Sequence, residues 1–450
     1  MNRTTSFRAA SPSTALVLAL LAAAGTVAWW TSAPATTASA QVAVVPPEAH
    51  SLRGDPILGH ALEALERGRT TFRYDPFGSN LFFTEALRLN EVVAQVTPMQ
   101  ALALGLKVDV DNLPRSVTRA IQRGAVDLED PAVTRLLLSR SAVVGLTAVV
   151  EGDEVSALGI TCALCHSTVD DSLAPGLGSR LDGWANRDLD VGKILSLAPN
   201  LQPFATLLGV DVATVKTVLE SWGPGRFDAH LNLDGKAFRP DGGTGAVLIP
   251  PAFGLAGVNL HTYNGWGSVP YWNAFVANLE MGGLGTFVDQ RLADAGQFPV
   301  AAAAGFDDVR RTPDLVTPKL ADLHLYQLAI PAPTPPAGSF GAAAAARGGA
   351  LFRGKADCAR CHVPPLYTEP GHNLHTPAEI GIDSFQSDRG PTGQYRTTPL
   401  KGLWSHTRGG FYHDGRFATL DAVVAHYDQH FGLGLTTGEQ SDLVEFLKSL

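Results

Sequence analysis

The sequence predicts a mostly α-helical protein of two domains, the first of them enlarged by a long loop-rich insertion. Its 450 residues are enough for two or three globular domains, and its 45% hydrophobic and 17% charged content is that of a globular chain. Apolar residues recur at helical spacing near the C-terminus, and one cysteine motif occurs once in each half. The repeated motif is the reason for predicting two domains.

Charge and hydropathy argue against two classes of protein. The 34 basic and 43 acidic residues give a net charge of −9, and Lys and Arg form no run. A general nucleic-acid-binding protein needs a basic patch, so we expect no nucleic-acid partner. The single long apolar run lies at the N-terminus, so no other segment is expected to cross a bilayer.

That N-terminal run has the pattern of a secretory signal. Arg3 and Arg8 precede an apolar stretch over residues 15–30, and the small residues Ala38–Ala40 follow it. Residues 1–40 are therefore predicted to be a signal peptide that is removed on export to the periplasm or another extracytoplasmic location. An uncleaved anchor is the alternative, although the apolar stretch is short for one.

The cysteines form two C-x-x-C-H motifs, the pattern of covalent c-type haem attachment. Two thiols at this spacing can each form a thioether with one haem vinyl group, and the next residue can direct its imidazole at the iron. The residues predicted to do so are Cys162, Cys165 and His166 in the first motif and Cys358, Cys361 and His362 in the second. The cofactors predicted are thus two covalently bound haems c, one in each cytochrome c-type domain.

Zinc sites, redox dithiols and disulfides are the alternatives for these cysteines. The histidine after each motif separates them from haem attachment. With 13 His in 450 residues, a chance His after both motifs has a probability of roughly one in a thousand.

The second haem domain is predicted over residues 331–450. It begins with the proline-rich Pro331–Pro336, which is typical of an extended linker, and a helix is expected over Ala342–Phe352. Thr436 and Glu439 form a capping box for a closing helix. The apolar stripe of that helix is Leu443, Phe446, Leu447 and Leu450.

The first haem domain, residues 41–330, is too long for a minimal cytochrome c. Helices are expected in 63–88, 129–150 and 211–221. Residues 234–287 are rich in Gly, Pro and aromatic residues and predict a long irregular insertion. Such loops inside a compact domain are usually functional.

The group on the far side of each iron decides whether it carries electrons or binds a substrate. For the second haem we expect His426, on a helix that begins near Thr419 and has an apolar face. The other histidines downstream of that motif are His372, His375, His406, His413 and His430.

No histidine follows the first motif closely. His230, His261 or Met281 could reach the first iron from a distance, and otherwise its distal side is open or covered by an apolar group. An open iron would bind H2O2 or O2.

The sequence resembles the dihaem cytochrome c peroxidase superfamily, which includes MauG and the dihaem rubber oxygenases. The resemblance rests on the two haem motifs and on three stretches of the second domain. These stretches are RTTPLKGLW over 396–404, FYHDGR over 411–416 and ATLDAVV over 418–424.

This resemblance implies roles for further residues. His426 stands where the better-known peroxidases have a Met ligand, and the switchable His that those enzymes carry after the first motif is absent. Trp272 and Phe287 would correspond to the Trp between the haems and the Phe over the open haem of the rubber oxygenases. Ordinary core packing is the other interpretation of both residues. Glu280 is the candidate for the distal acid of a peroxidase.

We therefore expect an oxidoreductase in which the first haem activates H2O2 or O2. The second haem would store or transfer electrons from a small redox protein or another donor. A haem dioxygenase of the rubber-oxygenase type and a non-catalytic electron-transfer cytochrome are the alternatives.

Overall fold

Helices make up most of the regular structure of residues 54–450, the part of the chain that this computed structural model describes. The predicted signal peptide, residues 1–40, lies outside the described residues. Within 54–450, no helix is both long enough and apolar enough to cross a membrane. Asp55–Leu450 form one compact unit, and its division near residue 331 stays a prediction.

The helices are α1 (Pro56–Tyr74), α2 (Leu89–Val93), α3 (Pro98–Ala103), α4 (Arg115–Gln122), α5 (Pro131–Ser139), α6 (Ala163–His166), α7 (Val191–Ser196), α8 (Gln202–Leu208), α9 (Val212–Glu220), α10 (Leu231–Asp234), α11 (Val269–Phe275), α12 (Pro299–Ala304), α13 (Leu320–Ala329), α14 (Ala342–Arg353), α15 (Pro377–Ile380), α16 (Phe385–Asp388), α17 (Leu420–Phe431) and α18 (Thr437–Lys448).

The strands are short and pair only two by two among the described residues. They are β1 (Val108–Asp109), β2 (Leu146–Glu151), β3 (Glu154–Ile160), β4 (Ser167–Val169), β5 (Leu177–Gly178), β6 (Arg180–Asp182), β7 (Arg226–Phe227), β8 (Val247–Leu248), β9 (Thr286–Val288) and β10 (Asp308–Arg310). The β1–β5 pair is parallel. The pairs β2–β3, β4–β6, β7–β8 and β9–β10 are antiparallel.

Two pairs of helices pack in the same way, one on each side of the predicted boundary at residue 331; the residues before and after that boundary are called the first and second half. In the first half α1 packs on α13, and in the second half α14 packs on α18. A glycine lies at each crossing: a Cβ on Gly68 would meet the Asp322 carbonyl oxygen at 2.1 Å, and one on Gly348 would meet the Asp442 oxygen at 1.9 Å. Only glycine permits so close an approach of two backbones.

Several local predictions are confirmed. The capping box of Thr436 and Glu439 is present at the start of α18, and Thr419 caps α17. Asp211 caps α9 through the backbone N–H of Thr214. The helix expected over 129–150 is wrong in its second part, because the chain turns after α5 into the β2–β3 hairpin. The β-branched residues Thr147, Val149 and Val150 suit a half-buried strand.

The predicted insertion over 234–287 is largely irregular, as expected, and it ends in regular structure. The helix α11 continues without a break into a π-helical turn over Val276–Glu280. Such π-turns are rare and often occur at functional sites. This turn directs Glu280 into the interior of the protein.

The proline-rich connector between α13 and α14 has no regular structure, as predicted, and hydrogen bonds hold its first four residues. The Trp404 indole N–H donates to the Pro333 carbonyl oxygen over 3.0 Å. The Gly254 N–H donates to the Ile330 oxygen over 2.9 Å. One contact comes from each half of the chain.

A buried ion cluster joins the helix α16 region to the first half. The Arg389 side chain is only 1% exposed, and its Nε donates to Asp234 over 2.8 Å. A second nitrogen, Nη2, lies 2.9 Å from Asp228. Nη1 also donates to the Gly245 carbonyl oxygen over 3.1 Å. Every charge in the cluster thus has a hydrogen-bonded partner of opposite sign.

Arg389→Met is expected to lower the free energy of unfolding by about 3–5 kcal/mol, because it leaves Asp228 and Asp234 as buried charges without a partner. Urea denaturation of the full chain, followed by tryptophan fluorescence, measures this change. The matched control is Arg347→Met, which breaks an exposed ion pair with Asp442 and should change stability by about 0–1 kcal/mol. Equal effects of the two substitutions would contradict this role of Arg389.

Candidate functional site

The first C-x-x-C-H motif opens onto a cavity of about 320 Å³. Cys162, Cys165 and His166 all line it, because the short helix α6 begins immediately after Cys162 and places the three side chains on one turn. The His166 N–H donates to the Cys162 carbonyl oxygen over 3.2 Å and closes this turn.

The second motif opens onto a separate cavity of about 430 Å³, lined by Cys358, Cys361 and His362. Here a 3₁₀ turn over Cys358–Arg360 brings the residues together, and the His362 N–H donates to the Cys358 oxygen over 2.8 Å. Both cavity volumes lie in the range of roughly 300–1,000 Å³ that is typical of cofactor sites.

The two motif histidines are held in the same way. His166 Nδ1 lies 3.1 Å from the Pro250 carbonyl oxygen, and His362 Nδ1 lies 3.1 Å from the Tyr367 oxygen. A carbonyl only accepts, so Nδ1 carries the proton and Nε2 keeps its lone pair. Burial lowers the pKa of His166 to about 4 and lowers the pKa of His362, which keeps both rings neutral. Iron ligation requires this tautomer and charge.

The cysteine environments disfavour the alternatives to haem attachment. The two pairs line different cavities, so they cannot form one four-cysteine zinc site. Burial raises the pKa of Cys162 and of Cys165 to about 12, which disfavours the thiolate that a metal-free redox dithiol needs. All four thiols are free of disulfide bonds.

Several side chains on the walls of both cavities carry a buried polar atom that has no hydrogen-bond partner among residues 54–450. A buried polar group without a hydrogen bond costs stability, so each marks a place for a complementary group. The wall side chains with such atoms are Trp222, Trp272, Glu280 and Gln386 in the first cavity, Arg187, Tyr412 and His413 in the second, and Arg396 in both. Together with the apolar remainder of the walls, they fit a large apolar group that carries carboxylates, as haem does.

Glu280, the candidate distal acid, lies on the wall of the first cavity. Its Oε2 accepts a hydrogen bond from Asn232 over 3.1 Å, and its Oε1 has no partner among the described residues. Burial, together with the nearby charge of Asp228, raises the pKa of Glu280 well above its usual value. A carboxyl group in this state holds a proton at neutral pH and can donate it.

Trp272 lines the first cavity but not the second. It packs against Phe275, with ring centroids 5.1 Å apart, and its indole N–H has no partner among the described residues. The structure does not bring Phe287 to either cavity. That ring lies on β9, 5.6 Å from both Tyr271 and Phe275, and belongs to the core beneath Trp272. Phe287 is therefore not placed to cover a haem in the first cavity, contrary to the expectation from the sequence.

The three distant candidates for the first iron all line the first cavity. Each ring nitrogen of His230 lies beside an amide group, Nε2 3.0 Å from Asn264 and Nδ1 3.3 Å from Gln386, and a neutral ring accepts a hydrogen bond at only one of them. His261 Nε2 donates to the Val258 carbonyl oxygen over 3.1 Å. Met281 is 3% exposed and packs in a core cluster that includes partly buried Cys162.

The structure does not bring His426 to the second cavity. Its Nε2 donates to the Ile380 carbonyl oxygen over 3.2 Å. The next residue, Tyr427, lines the cavity instead. Burial, with the neighbouring Cys358 and Cys361, raises the pKa of the Tyr427 hydroxyl. Successive residues of a helix point about 100° apart, so an error of one position moves a side chain off the wall.

Three other histidines, His375, His406 and His413, line the second cavity. Burial lowers the pKa of His406 to about 3 and that of His413 to about 4. His375 lies between two carboxylates, 2.6 Å from Glu369 and 2.8 Å from Glu379. Both of its nitrogens are thus engaged.

The two cavities share one wall, which the sequence did not predict. Its residues are Pro250, Pro251, Leu255, Tyr263 and Arg396. The Tyr263 hydroxyl donates to the Leu248 carbonyl oxygen over 3.0 Å. The proline pair inside the predicted insertion was the only sequence signal for this wall.

No family model matches this chain. Among curated proteins, it is 32% identical over 153 residues to cytochrome-c peroxidase IdrP1 of Denitromonas iodatirespirans, which covers 24% of this chain and 40% of that protein. It is 30% identical over 145 residues to cytochrome-c peroxidase IdrP2 of Pseudomonas sp. (strain SCT), which covers 24% and 39%. The chain thus matches only about two fifths of the length of these relatives.

The methylamine utilization protein MauG of Methylorubrum extorquens is 32% identical over 122 residues, covering 24% of this chain and 34% of that protein. A solved MauG-like protein associated with microbial copper homeostasis aligns at 20% identity over 51% of this chain and 80% of its own, with a TM-score of 0.32. That score is too low to establish a shared overall fold. The curated relatives are peroxidases and MauG, and they confirm the resemblance of this chain to the dihaem cytochrome c peroxidase and MauG superfamily.

Proposed function

We propose that the protein is an exported oxidoreductase with two covalently bound haems c and peroxidase-like activity. The observation that carries this proposal is the pair of separate cavities, each with a C-x-x-C-H motif whose histidine Nδ1 is bound by a backbone carbonyl. Cys162, Cys165 and His166 would hold the first haem. Cys358, Cys361 and His362 would hold the second. The haem irons supply the redox chemistry when bound.

The first cavity is the proposed reaction site. Oε1 of Glu280 has no partner among residues 54–450, while amide groups flank both nitrogens of His230 and the Nε2 of His261 donates to a backbone carbonyl. These contacts favour a first haem iron whose distal position is free to bind H2O2 over one that has a histidine as its distal ligand. Trp272 is proposed to form the apolar wall that excludes water from this side.

Glu280 is proposed as the catalytic acid. The amide of Asn232 donates to Oε2, so Oε1 is the oxygen left to carry the proton of the neutral carboxyl group on the cavity wall. From there it can pass to the leaving oxygen of a peroxide as the O–O bond breaks. A positioned carboxyl group of this kind contributes roughly 10²–10⁴-fold to a rate.

The haem proposed for the second cavity would store electrons that a small redox protein or another donor supplies. We propose Tyr427 as the second protein ligand of the second haem iron, because its ring lies on the cavity wall. His426, the ligand predicted from the sequence, would have to give up its hydrogen bond to Ile380 and turn inward.

Purified exported protein should contain two haems per chain by the pyridine haemochrome assay. The Cys358→Ser, Cys361→Ser double variant should retain one haem, because the two motifs line independent cavities. A colourless wild-type protein would falsify the proposed function.

The resting protein should also show a high-spin ferric signal in electron paramagnetic resonance that shifts on adding cyanide. Two low-spin haems that do not respond would identify an electron carrier.

Glu280→Gln keeps the shape of the side chain and removes its acidic proton. The second-order rate of the haem absorbance change with H2O2, followed by stopped flow, should fall by about 10²–10⁴-fold. The control, Glu63→Gln, changes an exposed carboxylate on α1 and should react like the wild type. An unchanged rate in Glu280→Gln would remove the acid role, and oxygen uptake with an unsaturated substrate would then favour the dioxygenase alternative.

Tyr427→Phe and His426→Gln separate the two candidate ligands of the second haem. Tyr427→Phe should change the absorption and paramagnetic resonance spectrum of that haem, because it removes the oxygen on the cavity wall. His426→Gln should leave the spectrum as it is and change only stability. The reverse result would restore His426 as the ligand.

A further inference from the structure

Arg396 lies on the wall that the two cavities share. Its backbone N–H donates to the Tyr263 carbonyl oxygen over 3.0 Å, and its Nε donates to the Thr262 oxygen. These two bonds fix the side chain between the cavities. Its Nη1 is buried and has no hydrogen-bond partner in the described part of the chain.

The Arg396 charge also lacks a counter-ion within residues 54–450. The buried Arg180 and Arg389 pair with aspartates, whereas Arg396 takes part in no ion pair there. Burial lowers the pKa of Arg396 to about 10, which still leaves it charged at neutral pH. A buried cation without an anion is costly, and its presence indicates that an anionic group binds to it.

We propose that Arg396 is a shared cation that binds a haem carboxylate in each cavity and so sets the reduction potentials of both centres. This inference rests on the proposed function, since it requires haem in both cavities. The planar guanidinium has five N–H donors in a fixed fork, so one side chain can serve carboxylates on two sides.

Arg187 gives the internal comparison. It lines only the second cavity, and its Nε and Nη1 are also buried without a partner in the described chain. It should therefore bind a carboxylate of the second haem alone. The two arginines differ in the number of cavities that they reach, and this difference makes the proposal testable.

A positive charge near a haem favours the reduced iron, which carries one positive charge less than the oxidised iron. Within a protein such an interaction is much less screened than in water. Removing the Arg396 charge should therefore lower both potentials. Removing the Arg187 charge should lower only that of the second haem.

The experiment is a spectroelectrochemical titration of the holoprotein and its variants, in which each haem gives one midpoint potential. Arg396→Gln should shift the reduction equilibrium of each haem by about tenfold, or about 59 mV for one electron. Arg187→Gln should shift one midpoint only. Arg69→Gln, on the exposed face of α1, should shift neither.

A shift of one midpoint or of none in Arg396→Gln overturns the shared-cation role, whereas wild-type protein without haem c overturns the proposed function. Should Arg396→Gln fail to fold, redox-difference infrared spectra of ¹⁵N-arginine-labelled Arg187→Gln protein give the second test. Guanidinium bands should then change at both midpoint potentials, and a change at only one of them refutes the proposal.

Discussion

The candidate reaction site depends on the buried ion cluster around Arg389. The Arg389 guanidinium donates to Asp228, which lies two residues before His230. Gln386, on the helix α16 just before Arg389, has its amide group next to the His230 ring. Asp228 also helps to keep Glu280 protonated. One cation from the second half of the chain thus determines the position and the charge of groups in the first half. The fold and the chemistry of the first cavity therefore depend on each other.

The hydrogen bonds of the motif histidines show how the remainder of the fold completes a local motif. Each C-x-x-C-H turn gathers two thiols and an imidazole by itself. The carbonyl that selects the tautomer comes from outside the motif, from Pro250 for His166 and from Tyr367 for His362. Pro250 is also part of the wall between the cavities. The orientation of the first imidazole is thus coupled to the boundary between the two centres.

Sequence reasoning succeeded where the signal is local and depends on spacing. The capping box at Thr436 and the position of each C-x-x-C-H motif on the wall of one cavity are of this kind. It failed where a choice depends on the rotation of a helix or on tertiary packing. His426 and Tyr427 are adjacent in sequence, yet only Tyr427 faces the cavity. Phe287 lies at a plausible distance along the chain, but pairing of β9 with β10 places it in the core.

The bound connector between α13 and α14 has a kinetic consequence. Gly254 and Trp404 bind Ile330 and Pro333 at its start, and the Gly341 N–H donates to Glu445 at its end, so the connector is attached to its surroundings at both ends. If both proposed haems are bound, a connector attached in this way would hold them at a constant separation. Electron exchange between them would then proceed by tunnelling through a fixed medium, at a rate independent of solvent viscosity.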